Sequence, residues 1–373
     1  MASFSFSFAG DDIDGADGDP APELEIKASQ PATASAFPVP GKPQLSPTSH
    51  RLADMLAQLP SKIAYSILNV TLDGGEVVEI PRRELWDVRV QLMAEDDDAA
   101  EGPEGLGSHD VKTGVYEGGF KSWESSVDLV KVLDSEKLLT PARPRTLRVI
   151  ELGCGTALPS LAVFRSAAVT SSVDSPLSIV LADYNPSVLQ LVTLPNFILT
   201  WALARKTATP VLETAFYEEG ELELTPEVIA AFESFLASSN ISLSFLSGGW
   251  SQELVELLYG SDVASYSANG EFDSLLIGAE TIYSPFALDA FNEMVLAILS
   301  REKAERAGCK CQALVGAKRP LLWRLEAHWT TSSRRREARE PLSPNCARRL
   351  RAFDAVSYVA SYLRPLPERP MTI

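Results

Sequence analysis

Two acids and two glycines within Arg148–Asn185 have the types and spacing needed to bind a nucleoside. Glu151, Gly153 and Gly155 follow one apolar run directly, and Asp183 ends the next apolar run. In a strand–turn–helix–strand unit, these positions meet at the carboxyl ends of two neighbouring parallel strands. Glycines let the backbone approach a ligand closely, and a carboxylate accepts hydrogen bonds from ribose hydroxyls. The pattern therefore predicts a nucleoside-type ligand at this edge of a sheet.

The turn also departs from the dinucleotide-binding fingerprint in two ways. Ala157 and Pro159 stand where the third glycine is expected, and the insert AVTSSVDSPLS lengthens the path to Asp183. Both departures argue against a bound pyrophosphate and favour a ligand without phosphates. The alternative, in which the strand–turn–helix is purely structural, stays open.

Alternating strand and helix patterns around this turn predict an α/β core. The predicted strands are 148–153, 178–183, 241–247, 272–279 and 311–317. The predicted helices are 156–168, 186–205, 251–259 and 285–302, with a long inserted amphipathic helix at 212–238. Repeated strand–helix steps with right-handed crossovers imply a mostly parallel sheet, with helices on both faces and all carboxyl ends at one edge.

Composition divides the chain into four parts. Residues 1–55, rich in Ser, Pro, Ala and Asp, are expected to be a disordered acidic tail. Residues 56–147 are expected to hold a strand pair, with structure starting near Leu56, and an amphipathic helix. Residues 148–318 form the predicted core. Residues 319–373 contain eleven arginines, five acids and no lysine, and match none of these patterns.

Charge and residue usage exclude several classes of function. The formal net charge of −17 disfavours direct binding to nucleic acid or an anionic membrane and favours a basic protein partner. Four cysteines fit neither a disulfide framework nor a common zinc pattern, which indicates a reducing compartment and no metal site. The N-terminus lacks a signal-peptide pattern and no apolar run reaches 18 residues, so no membrane helix is expected. The three histidines lie outside every motif and are expected in surface loops.

Several short motifs resemble a known family. ELGCG, LADYN, TLPN, SGGW and ETIY occur in the order seen in seven-strand methyltransferases that use S-adenosylmethionine. The segments LPSKIAYSILNV, PRRELWDVRVQLMAEDD and GGFKSWESSVDLVKVL resemble the protein-histidine methyltransferases, which modify a histidine of a large-subunit ribosomal protein. The resemblance covers residues 56–318 and the Ser-Phe alternation at the N-terminus. It implies a Rossmann-like, seven-strand class I fold, the cofactor S-adenosyl-L-methionine and a ribosomal-protein substrate.

The resemblance also implies roles for individual residues. The helix after Trp123 would cover the methionine part of the cofactor, and Asp183 would bind the ribose. The implied cofactor-binding residues are Trp123, Glu124, Glu151, Gly153, Gly155, Asp183, Tyr184, Asn185, Gly249, Trp250 and Ala279. The implied catalytic residues are Glu280 and Tyr283, in an acid-x-x-aromatic motif beside the target side chain, and Asn196.

Each of these residues also has a structural interpretation. Trp123 and Trp250 fit core anchors, because most large aromatic side chains are buried. Glu124 fits a solvated acid that the helix dipole favours at a first turn. Tyr283 precedes a serine and a proline that are typical of a helix start. Asn196 fits a polar partner at a break beside a proline.

The predicted chemistry is methyl transfer to a neutral imidazole. An imidazole with a pKa of about 6.5 has a free lone pair at neutral pH, so it needs placement, a fixed tautomer and exclusion of water rather than a strong base. A lysine target is one alternative. It differs from histidine because its ammonium group, with a pKa of about 10.4, must first lose a proton. We expect a monomer in the cytoplasm and nucleus.

The second alternative is a cofactor-binding chaperone of the ribosomal protein that does not catalyse transfer. It arises because residues 319–373 do not resemble the family, whose C-terminal antiparallel hairpin is expected to be missing or altered here. The abrupt change of composition suggests a retained intron or a shifted reading frame in this part of the sequence.

Overall fold

The part of the chain described by the computed structural model begins at Leu45 and ends at Gly316, with internal gaps. The described residues are 45–95, 119–122, 124–140, 145–170, 175–260, 272–279, 281, 285–305 and 310–316. All of them belong to the compact unit Thr33–Ile373, whereas the unit Met1–Ala32 lies outside the described residues. The predictions for the Ser-Phe alternation and for residues 319–373 therefore also lie outside them.

The described residues form nine strands and ten α-helices. The strands are β1 Thr48–His50, β2 Lys62–Thr71, β3 Val77–Arg83, β4 Thr146–Leu152, β5 Leu177–Asp183, β6 Glu221–Glu223, β7 Ile241–Ser247, β8 Phe272–Ala279 and β9 Cys311–Gly316. The helices are α1 Leu52–Leu56, α2 Leu85–Glu95, α3 Glu124–Ser135, α4 Leu158–Val169, α5 Pro186–Val188, α6 Leu194–Arg205, α7 Val211–Ala215, α8 Pro226–Ser238, α9 Gln252–Leu258 and α10 Pro285–Glu305, with a π-helical turn, Leu189–Thr193, between α5 and α6.

The main sheet has the strand order β1-β7-β5-β4-β8-β9. All neighbours from β7 to β9 pair in parallel, and β1 pairs antiparallel with β7. The five predicted core strands and the mostly parallel sheet are confirmed. Within the described residues this sheet has six strands, so the seven-strand count and the altered C-terminal hairpin stay predictions. The order reverses between β4 and β8, where open α/β sheets bind ligands beyond the carboxyl ends.

Helices cover both faces of this sheet, as predicted. Val149 and Ile179 lie in an apolar cluster with residues of α4, α6 and α8, whereas Ile150 and Val180 lie in a second cluster with residues of α9 and α10. Burial on both faces explains why β4 and β5 read as nearly continuous apolar runs rather than as alternating ones.

One described segment, Pro186–Arg205, is long and apolar enough to cross a membrane by length and composition alone. This differs from the expectation that the chain has no such segment. Most of this apolar stretch is buried inside the protein. Phe197 packs against Phe164 of α4, and Trp201 packs against Phe232 of α8. The segment is apolar on all sides because it is a core helix.

The prediction of one helix over residues 212–238 is wrong. The chain instead forms α7, a turn at Gly220 with φ of +80°, β6 and then α8. β6 pairs antiparallel with β2, with Leu222 opposite Ile63, and completes a three-stranded sheet of order β3-β2-β6. Thr225 caps α8 by accepting a hydrogen bond from the Val228 N–H at 3.3 Å. The predicted helix is interrupted because residues 221–223 pair with β2, a strand distant in sequence. Local periodicity does not reveal such a pairing.

The predicted start of structure near Leu56 is also wrong. β1 precedes that residue, α1 ends at it, and Thr48 pairs with Ser247 at the end of β7. β1 contains only three residues, so it has no detectable alternation of its own. It forms because β7 would otherwise offer unpaired backbone groups at the edge of the sheet.

Candidate functional site

The turn after β4 has a backbone that ordinary side chains disfavour. Gly153, Gly155 and Ala157 have φ values of +64°, +50° and +57°. A β-carbon on Gly153 would overlap the Cγ2 methyl of Thr281, and one on Gly155 would lie 3.0 Å from the carbonyl oxygen of Gly119. The glycines therefore allow two neighbouring segments of the same chain to pack closely against the turn.

Asp183, the last residue of β5, anchors this turn from the side. Its carboxylate accepts hydrogen bonds from the Gly155 N–H at 2.9 Å and from the Asn185 N–H at 3.1 Å. The residue is only 8% exposed. Each carboxylate oxygen has a further lone pair, so the group can also accept hydrogen bonds from ligand hydroxyls.

Glu151 lies beneath the turn and acts as a cap for α4. Ala157 at the N-cap of α4 provides no side-chain hydrogen bond, and the Glu151 carboxylate instead accepts from the Ser160 N–H at 3.1 Å and from the Ser160 hydroxyl. Burial raises the pKa of Glu151 to about 8, the two Ser160 hydrogen bonds oppose that shift, and the Asp183 charge adds to it. Its predicted contact with the cofactor stays a prediction.

The raised pKa of Glu151 predicts a specific dependence of stability on pH. Between about pH 5 and 8, the folded protein keeps a proton on Glu151 that the unfolded chain has released, so stability falls as pH rises through this range. The expected slope from this group is at most about 1.4 kcal/mol per pH unit. Chemical unfolding at several pH values should show a flatter profile for Glu151→Gln.

Glu79→Gln is the matched control for this experiment, because Glu79 is an exposed acid in β3. This variant should keep the wild-type slope. Equal slopes for wild type and Glu151→Gln would contradict the assigned protonation of Glu151.

The segment after β7 lies beside the same strand ends. The Gly249 N–H donates to the Leu45 carbonyl at 2.9 Å, so the N-terminal edge segment packs on this loop. Trp250 is buried and packs against Phe291 of α10, with ring centroids 5.6 Å apart. Its ring also approaches the turn, because Cζ2 would lie 3.7 Å from a β-carbon on Gly153. Trp250 thus packs in the core, and its role in cofactor binding stays a prediction.

Other predicted cofactor-binding residues occupy the ends of β5 and β8. Tyr184 is partly buried against the apolar cluster of α9 and α10. Asn185 caps α5 by accepting from the Ser187 N–H at 2.9 Å. Ala279 ends β8 and packs on the opposite cluster. Their positions at the carboxyl edge are compatible with the predicted roles, which no contact here tests.

The segment just before α3 contacts the turn after β4. The Ser122 hydroxyl lies 2.9 Å from that of Thr156, and Glu124 is exposed at the first turn of the helix. Ser125 is buried beside Gly316, the last residue of β9. Three predicted residues fall outside the described residues, namely Trp123, Glu280 and Tyr283.

Asn196 is buried against the turn after β4 and is not exposed at the surface. It is fully buried, its side-chain oxygen accepts from the Arg83 N–H at 2.8 Å, and its amide donates to the Thr156 carbonyl at 3.1 Å. Both ends of the amide therefore hold backbone groups. The catalytic role predicted for Asn196 stays a prediction.

The structure brings in residues to which neither the sequence pattern nor the resemblance gave a role. Thr193, in the π-helical turn, donates its hydroxyl to the Gly155 carbonyl at 2.6 Å. Arg83 approaches the same region from β3. The hydroxyl of Thr281 is buried without a hydrogen-bond partner among the described residues, as is that of Ser125. All four lie in segments that carry the resemblance, namely PRRELWDVRVQLMAEDD, TLPN, GGFKSWESSVDLVKVL and ETIY, but contacts such as that of Thr193 with Gly155, 38 positions away, depend on the tertiary fold.

The chemistry around this turn fits a small polar ligand better than a metal ion. Asp183 contributes a nearly buried carboxylate, and the hydroxyls of Thr281, beside Gly153, and Ser125, beside Gly316, have no hydrogen-bond partner in the described part of the chain, which suits a ligand with hydroxyl and amino-acid groups. Burial raises the pKa of Cys154 well above its ordinary value, which disfavours a thiolate. Among the described residues, no cluster of three His, Cys, Asp or Glu side chains could hold a metal.

Comparison with known proteins identifies the family. The sequence matches no family model. It is 34% identical over 261 residues to Histidine protein methyltransferase 1 of Schizosaccharomyces pombe, an alignment that covers 68% of this chain and 69% of the relative. The chain belongs to the histidine protein methyltransferase 1 family. This membership confirms the resemblance and supports a protein-histidine N-methyltransferase as the class of enzyme.

Two further relatives agree with this family. The Saccharomyces cerevisiae protein of the same name is 39% identical over 231 residues, which cover 58% of this chain and 59% of the relative. A Bos taurus homologue is 30% identical over 192 residues, which cover 52% of this chain and 43% of the relative. The alignments thus leave about a third or more of each relative unmatched.

Proposed function

We propose that this protein transfers a methyl group from S-adenosyl-L-methionine to a histidine side chain of a large-subunit ribosomal protein. The observation that carries the cofactor assignment is the Asp183 carboxylate at the end of β5, hydrogen-bonded to the glycine turn after β4. This pairing of an acid with a left-handed glycine turn at neighbouring parallel strand ends suits a nucleoside. Membership of the histidine protein methyltransferase 1 family supports the acceptor.

In this proposal the residues around the turn hold the cofactor. Asp183 accepts hydrogen bonds from the ribose hydroxyls, and the segment from Gly153 to Gly155 lies along the ligand. The start of α3 covers its methionine end, and Trp250 borders the adenine. When bound, S-adenosyl-L-methionine supplies an electrophilic methyl group on its sulfonium.

The protein then needs to orient the acceptor rather than activate it strongly. A neutral imidazole would attack the methyl carbon with its free ring nitrogen as the sulfur–carbon bond breaks. A hydrogen bond from the other ring N–H would fix the tautomer, and that N–H proton would leave afterwards to give neutral methylhistidine. Glu280 is the proposed acceptor of that hydrogen bond, and Tyr283 is the proposed wall of the pocket that excludes water. Glu280 and Tyr283 follow β8, whose carboxyl end neighbours that of β4.

The acidic charge of the chain supports a basic substrate protein. With a net charge of −17, the protein attracts polypeptides rich in lysine and arginine, as ribosomal proteins are. We further propose that the chain acts as a monomer, without direct contact to nucleic acid or membrane, in the cytoplasm and nucleus. A lysine acceptor and a non-catalytic chaperone remain the alternatives.

The direct test uses the purified full chain, S-adenosyl-L-methionine and peptides covering each histidine of large-subunit ribosomal proteins. Mass spectrometry should detect a gain of one methyl group on histidine, and a peptide with that histidine replaced by lysine should stay unmodified. Methylation of lysine instead would support the first alternative. Cofactor binding without transfer to any peptide or intact protein would support the chaperone.

A further inference from the structure

Arg83 is a buried cation that joins three elements. It is the last residue of β3, and its side chain is 1% exposed. The guanidinium donates to Asp87 and Gln91 of α2, both at 2.7 Å, and to the Leu191 carbonyl at 2.9 Å. It therefore fixes the positions of β3, α2 and the π-helical turn relative to one another.

Two hydrogen-bonded routes lead from this arginine to the turn after β4. On the first, which any residue except proline would supply, the backbone N–H of Arg83 donates to Asn196, whose amide donates to the Thr156 carbonyl at 3.1 Å. On the second, the guanidinium holds the π-helical turn, and Thr193 of that turn donates to the Gly155 carbonyl at 2.6 Å. Two successive carbonyls of the turn are thus held through elements that Arg83 joins.

The cost of burying Arg83 suggests that its geometry is needed. A buried guanidinium loses its hydration, which its ion pair with Asp87 at 2.7 Å offsets in part. The planar fork of arginine can donate in three directions at once, whereas lysine offers a compact ammonium on a flexible stem. A hydrophobic residue at this position would leave the Asp87 carboxylate and the Leu191 carbonyl without this donor, and the π-helical turn without this anchor.

We propose that Arg83 is a positioning residue for the cofactor turn. Its guanidinium holds the Leu189–Thr193 turn, and through Thr193 it keeps Gly155 in the conformation that receives S-adenosyl-L-methionine, without touching the ligand. The inference rests on the proposed function, because it assumes that the cofactor binds at this turn. It also makes the PRRELWDVRVQ segment part of the machinery that shapes the site.

The test compares Arg83→Lys with Arg82→Lys in the full chain. The two arginines are adjacent, but Arg82 is exposed and its hydrogen bond to the Ser66 hydroxyl is long, at 3.5 Å. Calorimetric titration should show that Arg83→Lys weakens cofactor binding by about tenfold, since small displacements of positioning groups have effects of this size or larger. The stoichiometry should stay unchanged, and Arg82→Lys should bind like wild type.

Hydrogen exchange provides a readout that does not need the cofactor. The amides of Cys154, Gly155 and Ala157 are hydrogen-bonded in the turn, so they should be protected in the wild type. Arg83→Lys should speed their exchange, whereas Arg82→Lys should not. A purely structural role would lower the stoichiometry of binding and the turnover number, and would leave the KM for the cofactor unchanged.

The outcomes separate the inference from the proposed function. Affinity within twofold of wild type together with unchanged exchange in Arg83→Lys would overturn the positioning role. If the wild type binds the cofactor but methylates no histidine, the proposed acceptor fails and the affinities still decide the inference. If the wild type does not bind S-adenosyl-L-methionine, the proposed cofactor and this positioning role both fail.

Discussion

Replacing Asp183 by asparagine should weaken binding of S-adenosyl-L-methionine by about a hundredfold or more. The wild-type carboxylate accepts from the N–H groups of Gly155 and Asn185. An asparagine has one acceptor oxygen, so one of these donors would face an NH₂ group. The variant also loses the negative charge that strengthens hydrogen bonds to ribose. Losing about 3 kcal/mol of such interactions corresponds to roughly a hundredfold change in affinity.

Asp73→Asn is the matched control for this measurement, because Asp73 is exposed in the turn between β2 and β3. Its affinity in calorimetric titration should equal that of the wild type. If Asp183→Asn bound the cofactor within twofold of wild type, the assignment of Asp183 to the ribose would be wrong. Circular dichroism of the variant distinguishes lost affinity from lost folding.

Replacing Gly153 by alanine should destabilise the fold by about 2–5 kcal/mol and remove measurable cofactor binding. The left-handed φ of +64° costs about 1–2 kcal/mol for a residue with a β-carbon. Overlap with the Thr281 methyl should add about 1–3 kcal/mol, the usual cost of overpacking. Urea unfolding of the purified variant measures the combined effect.

Gly75→Ala separates the two contributions. Gly75 has a φ of +85°, but a β-carbon there would meet no atom within 4 Å. This control should show only the backbone cost. In the double variant Gly153→Ala, Thr281→Ser, the overlapping methyl is absent, so part of the stability should return. Equal destabilisation by Gly75→Ala and Gly153→Ala would show that the contact with Thr281 has no energetic weight.

Local sequence patterns predicted the core strands closely because β4 and β5 are buried on both faces. Their apolar runs are bounded by polar or glycine residues, so each strand end is visible in the sequence. The same logic failed for residues 212–238, where β6 contains three residues and depends on pairing with β2. It also failed for β1, which exists only because β7 lies beside it.

The candidate site shows the same division between local and distant effects. Asp183 and Gly155 were predicted to meet because parallel strand ends converge, and they are joined by a hydrogen bond of 2.9 Å. Asn196 was placed by resemblance among the catalytic residues, whereas its amide holds the backbone of Arg83 and Thr156. Such a contact joins residues 113 positions apart in sequence, which no motif encodes.

The sequence by itself determined the α/β class, the positions of the five core strands along the chain and the likeness to protein-histidine methyltransferases, because these depend on local periodicity and on short motifs. Only the tertiary structure decided which side chains support the turn after β4. Arg83 and Thr193 reach it from elements that local pattern treats as separate, and burial makes their hydrogen bonds both necessary and specific.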